Sequence, residues 1–313
     1  MLHLRLITPA ERTDDVVRLI ETTVGTTHLV VLPGAARNPA GDVVLCDVAR
    51  EAGDELLSEL QGLGLDRSGS IAVENIDLSL SRRADRAEED APGESADAVL
   101  WEHLTDATHE ESSLSVTYLA FITLATMIAA CGVVLDNAIL IVGAMAVGPE
   151  FGPLAGICTA AVQRMPRLAL RSLLALLAGF AAAMAVTVGF SLFMDAVGLF
   201  TEEQLEGDRP QTGFVYAPDW FSFVVAVLAG AAGTLSLTSA KSGALVGVAI
   251  SVTTVPAAAN AAVALSYGDT EQTWGSTEQL LLNLLGIIVA GTLTLLAQKW
   301  FWARQRGRMH KAG

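Results

Sequence analysis

Cysteine is scarce in this chain, and beyond the first third so is charge. Cys46, Cys131 and Cys158 stand at spacings that suit neither a disulfide framework nor a zinc site, and two of them lie inside apolar runs. They read as small packing residues. Catalytic signatures are missing as well: the sequence holds no HExxH, nucleophile elbow, phosphate loop or pair of intramembrane aspartates. His3, His28, His103, His109 and His310 all fall outside the long apolar segments. An intramembrane hydrolase needs a nucleophile and a base converging in one pocket, so no enzyme, no metal site and no nucleic-acid partner is expected, and no cofactor follows from the residues. A secretory signal is not seen either, because Met1 leads straight into an alternating, strand-like stretch. The N-terminus is therefore expected on the cytoplasmic side.

What the chain has is apolar length. Of its 313 residues, 52% are hydrophobic, the profile of a polytopic membrane protein. Before that apolar half, residues 1–80 read as a soluble domain of βαββαβ order, with "LHLRLI", "THLVVL", "DVVLCDV" and "SIAVENIDL" as strands and "TPAERTDDVVRLIETT" and "EAGDELLSELQGLG" as helices. Thr8 is placed to cap the first helix, with Pro9 at its first position and Glu11 completing a capping box, and the helix ends near Gly25. That order predicts a ferredoxin-like α+β fold. Residues 81–113 read as a charged linker followed by a short helix with Val99, Leu100, Leu104 and Ala107 along one side, which either lies at the membrane interface or packs on the soluble domain.

Six segments of roughly the ~20 residues that cross a bilayer fill 114–302: 114–135, 138–162, 168–194, 220–237, 243–265 and 280–302. Positive charge gathers in "QRMPRLALR", at Lys241 and in the basic tail 303–313, while the alternate loops carry Asp136, "TEEQLEGD" and "YGDTEQTWGSTE" with Arg209 as the exception. The alternation predicts a multi-pass protein of the inner (plasma) membrane with both termini cytoplasmic. Laid side by side, the second and fifth segments each place proline near their midpoints, Pro149 and Pro153 in one and Pro256 in the other. Two three-span units related in this way form an inverted repeat with broken middle helices.

The runs "DNAILIVGAMAVGPEFGPLAG", "LSLTSAKSGALVGVAISVTTVPAA" and "NLLGIIVAG" resemble the signature segments of the uncharacterised hydrophobic-domain membrane family, domain of unknown function three-eight-nine. The resemblance covers the membrane half and, more loosely, the N-terminal domain. It implies a shared architecture and brings no assigned activity. This chain departs from the family pattern by carrying Glu150 and Phe151 between its prolines, and Ala257 where the later proline is often doubled.

Proline removes a backbone donor and clashes with the preceding turn. The groups it frees cannot face lipid and must be buried in protein or line a wet cavity. The residues expected to form an ion or substrate pathway around these breaks are Asn137, Gly143, Pro149, Glu150, Gly152, Pro153, Ser239, Lys241, Ser242, Gly247, Pro256, Asn260 and Asn283. Glu150 stands apart, since an ionisable side chain at membrane depth is costly and by default functional. The expected function is transport of a small ion or solute by a secondary transporter or channel, cation- or proton-coupled, regulated by the N-terminal domain. A membrane-anchored sensor or scaffold is the alternative. Small-residue faces such as "AGFAAAMAVTVG" suit helix packing in a homo-oligomer. Reporter fusions test the topology: one placed after Gly313 should report the cytoplasm and one within 201–208 the outside, and a shared side would refute six spans.

Overall fold

The computed structural model describes residues 1–76, 78–91, 93, 98–216, 220–239 and 254–309. The chain falls into two compact units, the first Met1–His103 with Thr238–Lys241 and the second Leu104–Leu237 with Ser242–Gly313. The first unit contains β1 (Leu2–Thr8), α1 (Thr13–Thr22), β2 (Thr26–Arg37), β3 (Ala40–Val48), α2 (Arg50–Gly62), the single turn α3 (Leu65–Ser68), β4 (Ser70–Asn75) and α4 (Arg82–Asp90). Its four strands form one antiparallel sheet of order β2-β3-β1-β4. Alternation sets the faces: Leu2, Leu4 and Leu6 of β1 and Val44, Cys46 and Val48 of β3 are buried against Val16 and Ile20 of α1 and Leu56 and Leu60 of α2. Burial pushes the Cys46 thiol up to about 12, as befits a side chain that fills space.

The start of α1 differs from the sequence expectation. Thr8 is taken by the sheet, where it pairs with Asp42, so it does not cap the helix and no capping box with Glu11 forms. A 3-10 turn over Ala10–Arg12 intervenes, and α1 begins at Thr13. Thr13 Oγ1 donates to Asp42 Oδ2 at 2.7 Å, fixing the helix start to the strand pair. The helix stops at Thr22, short of Gly25, whose φ of +89° turns the chain into β2. Within the segment expected as linker, Ser81 caps α4 by accepting from the amides of Arg83 and Ala84. Ala84 and Ala87 are buried, and α4 packs on β2. His28 links these parts: one ring nitrogen lies 2.7 Å from Asp47 Oδ2 and the other 2.9 Å from Ser81 Oγ.

The second unit is helical. α5 (Trp101–Glu111) crosses the division and leads to α6 (Val116–Val134), α7 (Ala138–Val147), α8 (Phe151–Gln163), α9 (Pro166–Ala196), the short α10 (Glu202–Glu206), α11 (Trp220–Thr238), α12 (Val255–Tyr267) and α13 (Thr270–Met309). Among the described residues, α6, α9, α11 and α13 are each long and apolar enough to cross a membrane, and α7 with α8 makes a fifth if the bent pair is one span. These helices suggest a membrane-embedded protein. The last helix begins ten residues earlier than the expected span at 280, because the polar stretch from Thr270 continues the same helix. α12 is different: at 1.5 Å per residue it is only about 20 Å long, and every residue from Val255 to Ala264 is buried. A helix apolar on all sides belongs inside a bundle, and α12 packs against α6, α9 and α13.

Glycines allow the close crossings. A Cβ at Gly230 of α11 would stand 2.7 Å from the Ile287 carbonyl oxygen and 2.8 Å from its Cα on α13. Backbone atoms cannot move aside as a side chain would. Gly230→Ala is expected to cost about 1–3 kcal/mol through overpacking. Gly143→Ala, on an open face of α7 with nothing within 4 Å, is expected to be neutral or to gain about 0.5–1 kcal/mol of helix stability. Denaturant titration of the purified protein compares the two.

Candidate functional site

The break expected at the prolines is present. α7 ends at Val147, α8 begins at Phe151, and the two are bent by 56°. Gly148, Pro149 and Glu150 form the joint. Pro153 lies in the first turn of α8, where its missing N–H removes no intrahelical bond. Pro256 likewise sits in the first turn of α12 and is buried there. It stands at the start of α12, and the part of the expected fifth segment before 254 lies outside the described residues.

Glu150 is the N-cap residue of α8 and is 1% exposed. Thr254 is the N-cap residue of α12 and is wholly buried. The Thr254 hydroxyl donates to Glu150 Oε1 at 2.9 Å. Two 13-residue helices thus converge head to head through the side chains that begin them. Each helix N-terminus carries about half a positive charge, and a partly buried anion there gains up to about 2 kcal/mol. Taking a carboxylate out of water costs several kcal/mol. Two helix ends and a hydroxyl donor acting together are of the size needed to hold that charge at depth. Tyr118 of α6, 6% exposed, is close enough to interact electrostatically with Glu150.

A second buried polar group lies further along α12. Asn260, six residues and about 9 Å beyond Thr254, accepts from Arg209 Nη1 at 2.8 Å and donates to Ser276 Oγ of α13 at 2.8 Å. Arg209 also donates to Gln272 Oε1 at 2.6 Å and lies 4.7 Å from the centre of the Tyr216 ring. Only 5% of Arg209 is exposed, and burial pulls its guanidinium below the ordinary arginine range. An arginine at an anionic loop thus became a buried element of the bundle, with amide oxygens as its acceptors.

The other expected pathway residues scatter. Asn137 caps α7, its Oδ1 accepting from the amides of Ile139 at 2.9 Å and Leu140 at 3.2 Å. Gly143 is exposed. Gly152 gives space to α5, since a Cβ there would meet Glu111 Cβ at 2.6 Å. Asn283 is buried on α13, and Ser239 is half-buried after the end of α11. Lys241, Ser242 and Gly247 lie outside the described residues. Glu150 and Asn260 are not brought together; α12 carries a partner for each. Thr254 was legible only as a threonine in an apolar run, which carries little signal because such hydroxyls commonly satisfy a neighbouring carbonyl.

Residues 145–289 match the family model described as Domain of unknown function (DUF389), the family that the sequence motifs resemble. The matched stretch takes in Glu150, Arg209, Thr254 and Asn260. An uncharacterized protein of Methanocaldococcus jannaschii is 24% identical over 230 residues, covering 71% of this chain and 68% of that protein. No solved structure matches.

The cap-to-cap hydrogen bond has a measurable consequence. Thr254→Val keeps the shape but removes the donor, and weakening a buried bond to a charged group is expected to cost about 1.5–3 kcal/mol. Thr254→Ser should restore most of it. Unfolding of both variants in mixed micelles checks the pair, and equal stability of Thr254→Val and the parent would refute the bond's role.

Proposed function

We propose that this chain, which carries the DUF389 domain over residues 145–289, is a six-span inner-membrane transporter of a small ion or solute, proton- or cation-coupled through Glu150. The observation that carries the reading is the meeting of α8 and α12 at Glu150 and Thr254. Discontinuous helices whose ends converge within the bundle are the way transporters build a site near the midplane. In this reading α7 and α8 are the two halves of one broken span, and α12 belongs to the span expected at 243–265. Six spans follow when α6, the bent pair α7 with α8, α9, α11, the span holding α12, and α13 are counted.

The packing supports an inverted repeat. α8 packs on α9, the third helix of its own unit, and on α13, the third helix of the other; α12 packs on α13 and on α9 in the same manner. First and third helices also meet closely in both units, through Gly179 against Tyr118 in one and Gly230 against Ile287 in the other. We read the N-terminal unit as ferredoxin-like from its βαββαβ order and its antiparallel order β2-β3-β1-β4, and as a cytoplasmic regulator of a homo-oligomeric transporter.

A carboxylate between two helix N-termini suits proton exchange. Ionised, it is held by the dipoles and the Thr254 hydroxyl. Protonated, it leaves those positive ends for another ligand. Glu150→Gln keeps the volume and abolishes the titration. Reconstituted in liposomes and tested against a panel of ions with an imposed pH gradient, it is expected to assemble normally and to lose at least roughly tenfold in flux, in line with removal of a general acid–base group, together with the pH dependence of that flux. Wild-type flux with an unchanged pH profile would refute the role of Glu150.

A further inference from the structure

A cavity of about 360 Å³ lies beside the break. The end of α5 gives it Glu110 and Glu111, α6 gives Tyr118 and Phe121, the joint gives Pro149, and the start of α8 gives Phe151 and Gly152. No lysine or arginine is among the described residues that line it. Glu110 and Glu111 stand exposed at its rim, and partial desolvation, and after it the charge of Glu110, raises the Glu111 carboxyl above its ordinary value. Tyr118 is fixed in place by Gly179, where a Cβ would stand 2.6 Å from its Cε1. Its buried hydroxyl makes no hydrogen bond among the described residues.

Two opposed electrostatic effects act here, and their sizes decide between them. The N-termini of α6 and α8 contribute about half a positive charge each, and the C-terminus of α5 about half a negative one. Two carboxylates contribute about two negative charges, so a cation is favoured. The volume falls within the range of about 300–1,000 Å³ typical of small-molecule sites, whereas a bare metal ion takes a close shell of oxygens. Aromatic faces next to carboxylates are the recognition chemistry of ammonium groups.

We propose that this cavity binds a small organic ammonium group, held by Glu110 and Glu111 against Tyr118, Phe121 and Phe151, with the Tyr118 hydroxyl bonding the ligand or its water. As a statement of substrate class, this rests on the transport reading above. The same ammonium chemistry is offered by a free solute and by a choline or ethanolamine lipid headgroup.

The test is calorimetric titration of the full-length protein in phosphatidylglycerol nanodiscs with choline and with its neutral isostere 3,3-dimethyl-1-butanol. Choline is expected to bind, the isostere at least roughly tenfold more weakly for lack of charge, and Glu111→Gln is expected to weaken choline by a similar factor. Tyr118→Phe keeps the ring and should cost a few-fold. If a headgroup is the natural occupant, native mass spectrometry of protein from phosphatidylcholine discs will show retained lipid that Glu111→Gln loses. Equal binding of choline and the isostere needs no variant to observe and overturns the proposal, as does the absence of both choline binding and retained lipid. Choline binding without any Glu150-dependent flux defeats the transport reading and leaves the ammonium site standing, whereas Glu150-dependent flux without ammonium binding defeats the site alone.

Discussion

Apolar surroundings offer no water to an exposed amide, so a helix that stops inside them must pass its end groups to another part of the protein. That constraint organises the membrane-embedded unit. α8 and α12 both start inside the bundle, and the buried side chains at the two starts, Glu150 and Thr254, bond to each other rather than to the amides of their own helices. The complete burial of α12 through Ala264 follows from the same requirement. A helix about 20 Å long is too short to cross a ~30 Å hydrocarbon core alone, and α12 is enclosed by α6, α9 and α13.

Polar side chains divide accordingly. Asn137 satisfies the exposed amides of α7 where that helix starts, while Asp136 accepts from Thr212 Oγ1 at 2.9 Å and from the Gln211 amide at 3.1 Å, joining the turn after α6 to the segment beyond α10. Arg209, Asn260, Gln272 and Ser276 form a buried network whose donors and acceptors are matched over most of its atoms. The arginine's direct acceptors include neutral amides, while Asp136 and Asp269 act on it electrostatically from the neighbouring turns. Glu150 has the opposite character: a negative charge set against two positive helix ends. The bundle therefore holds a buried acid at the start of α12 and a buried arginine network about 9 Å along it.

In the N-terminal unit the alternation of apolar residues was sufficient to give strands and helices in the right order, because a sheet with one buried face imposes a period of two and a helix one of 3.6. The errors came where pairing overrode local preference. Thr8, an apt cap on sequence grounds, is committed to β1 because its neighbour across the sheet, Asp42, continues the ladder. Residues 82–90 are almost wholly charged or small, so a linker was the natural reading; Ala84 and Ala87 nevertheless give α4 one face narrow enough to lie on β2.

The sequence by itself determined the division into a mixed α+β unit and an apolar helical one, the break at Pro149, the buried acid in that break and the family to which its motifs point. These properties are local: hydropathy, periodicity and proline stereochemistry act over a few residues and leave direct marks in the chain. Only the tertiary structure decided that Thr254, 104 residues away, meets Glu150, that Asn260 serves Arg209 instead, that Asn137 is a cap, and that Glu110, Glu111 and Tyr118 surround one cavity. Such pairings depend on which helices lie beside which and at what depth, and that is set by the packing of small residues such as Gly179 and Gly230 across distant segments. A glycine looks the same in the sequence whether it faces open space, as Gly143 does, or a neighbouring backbone, as Gly230 does.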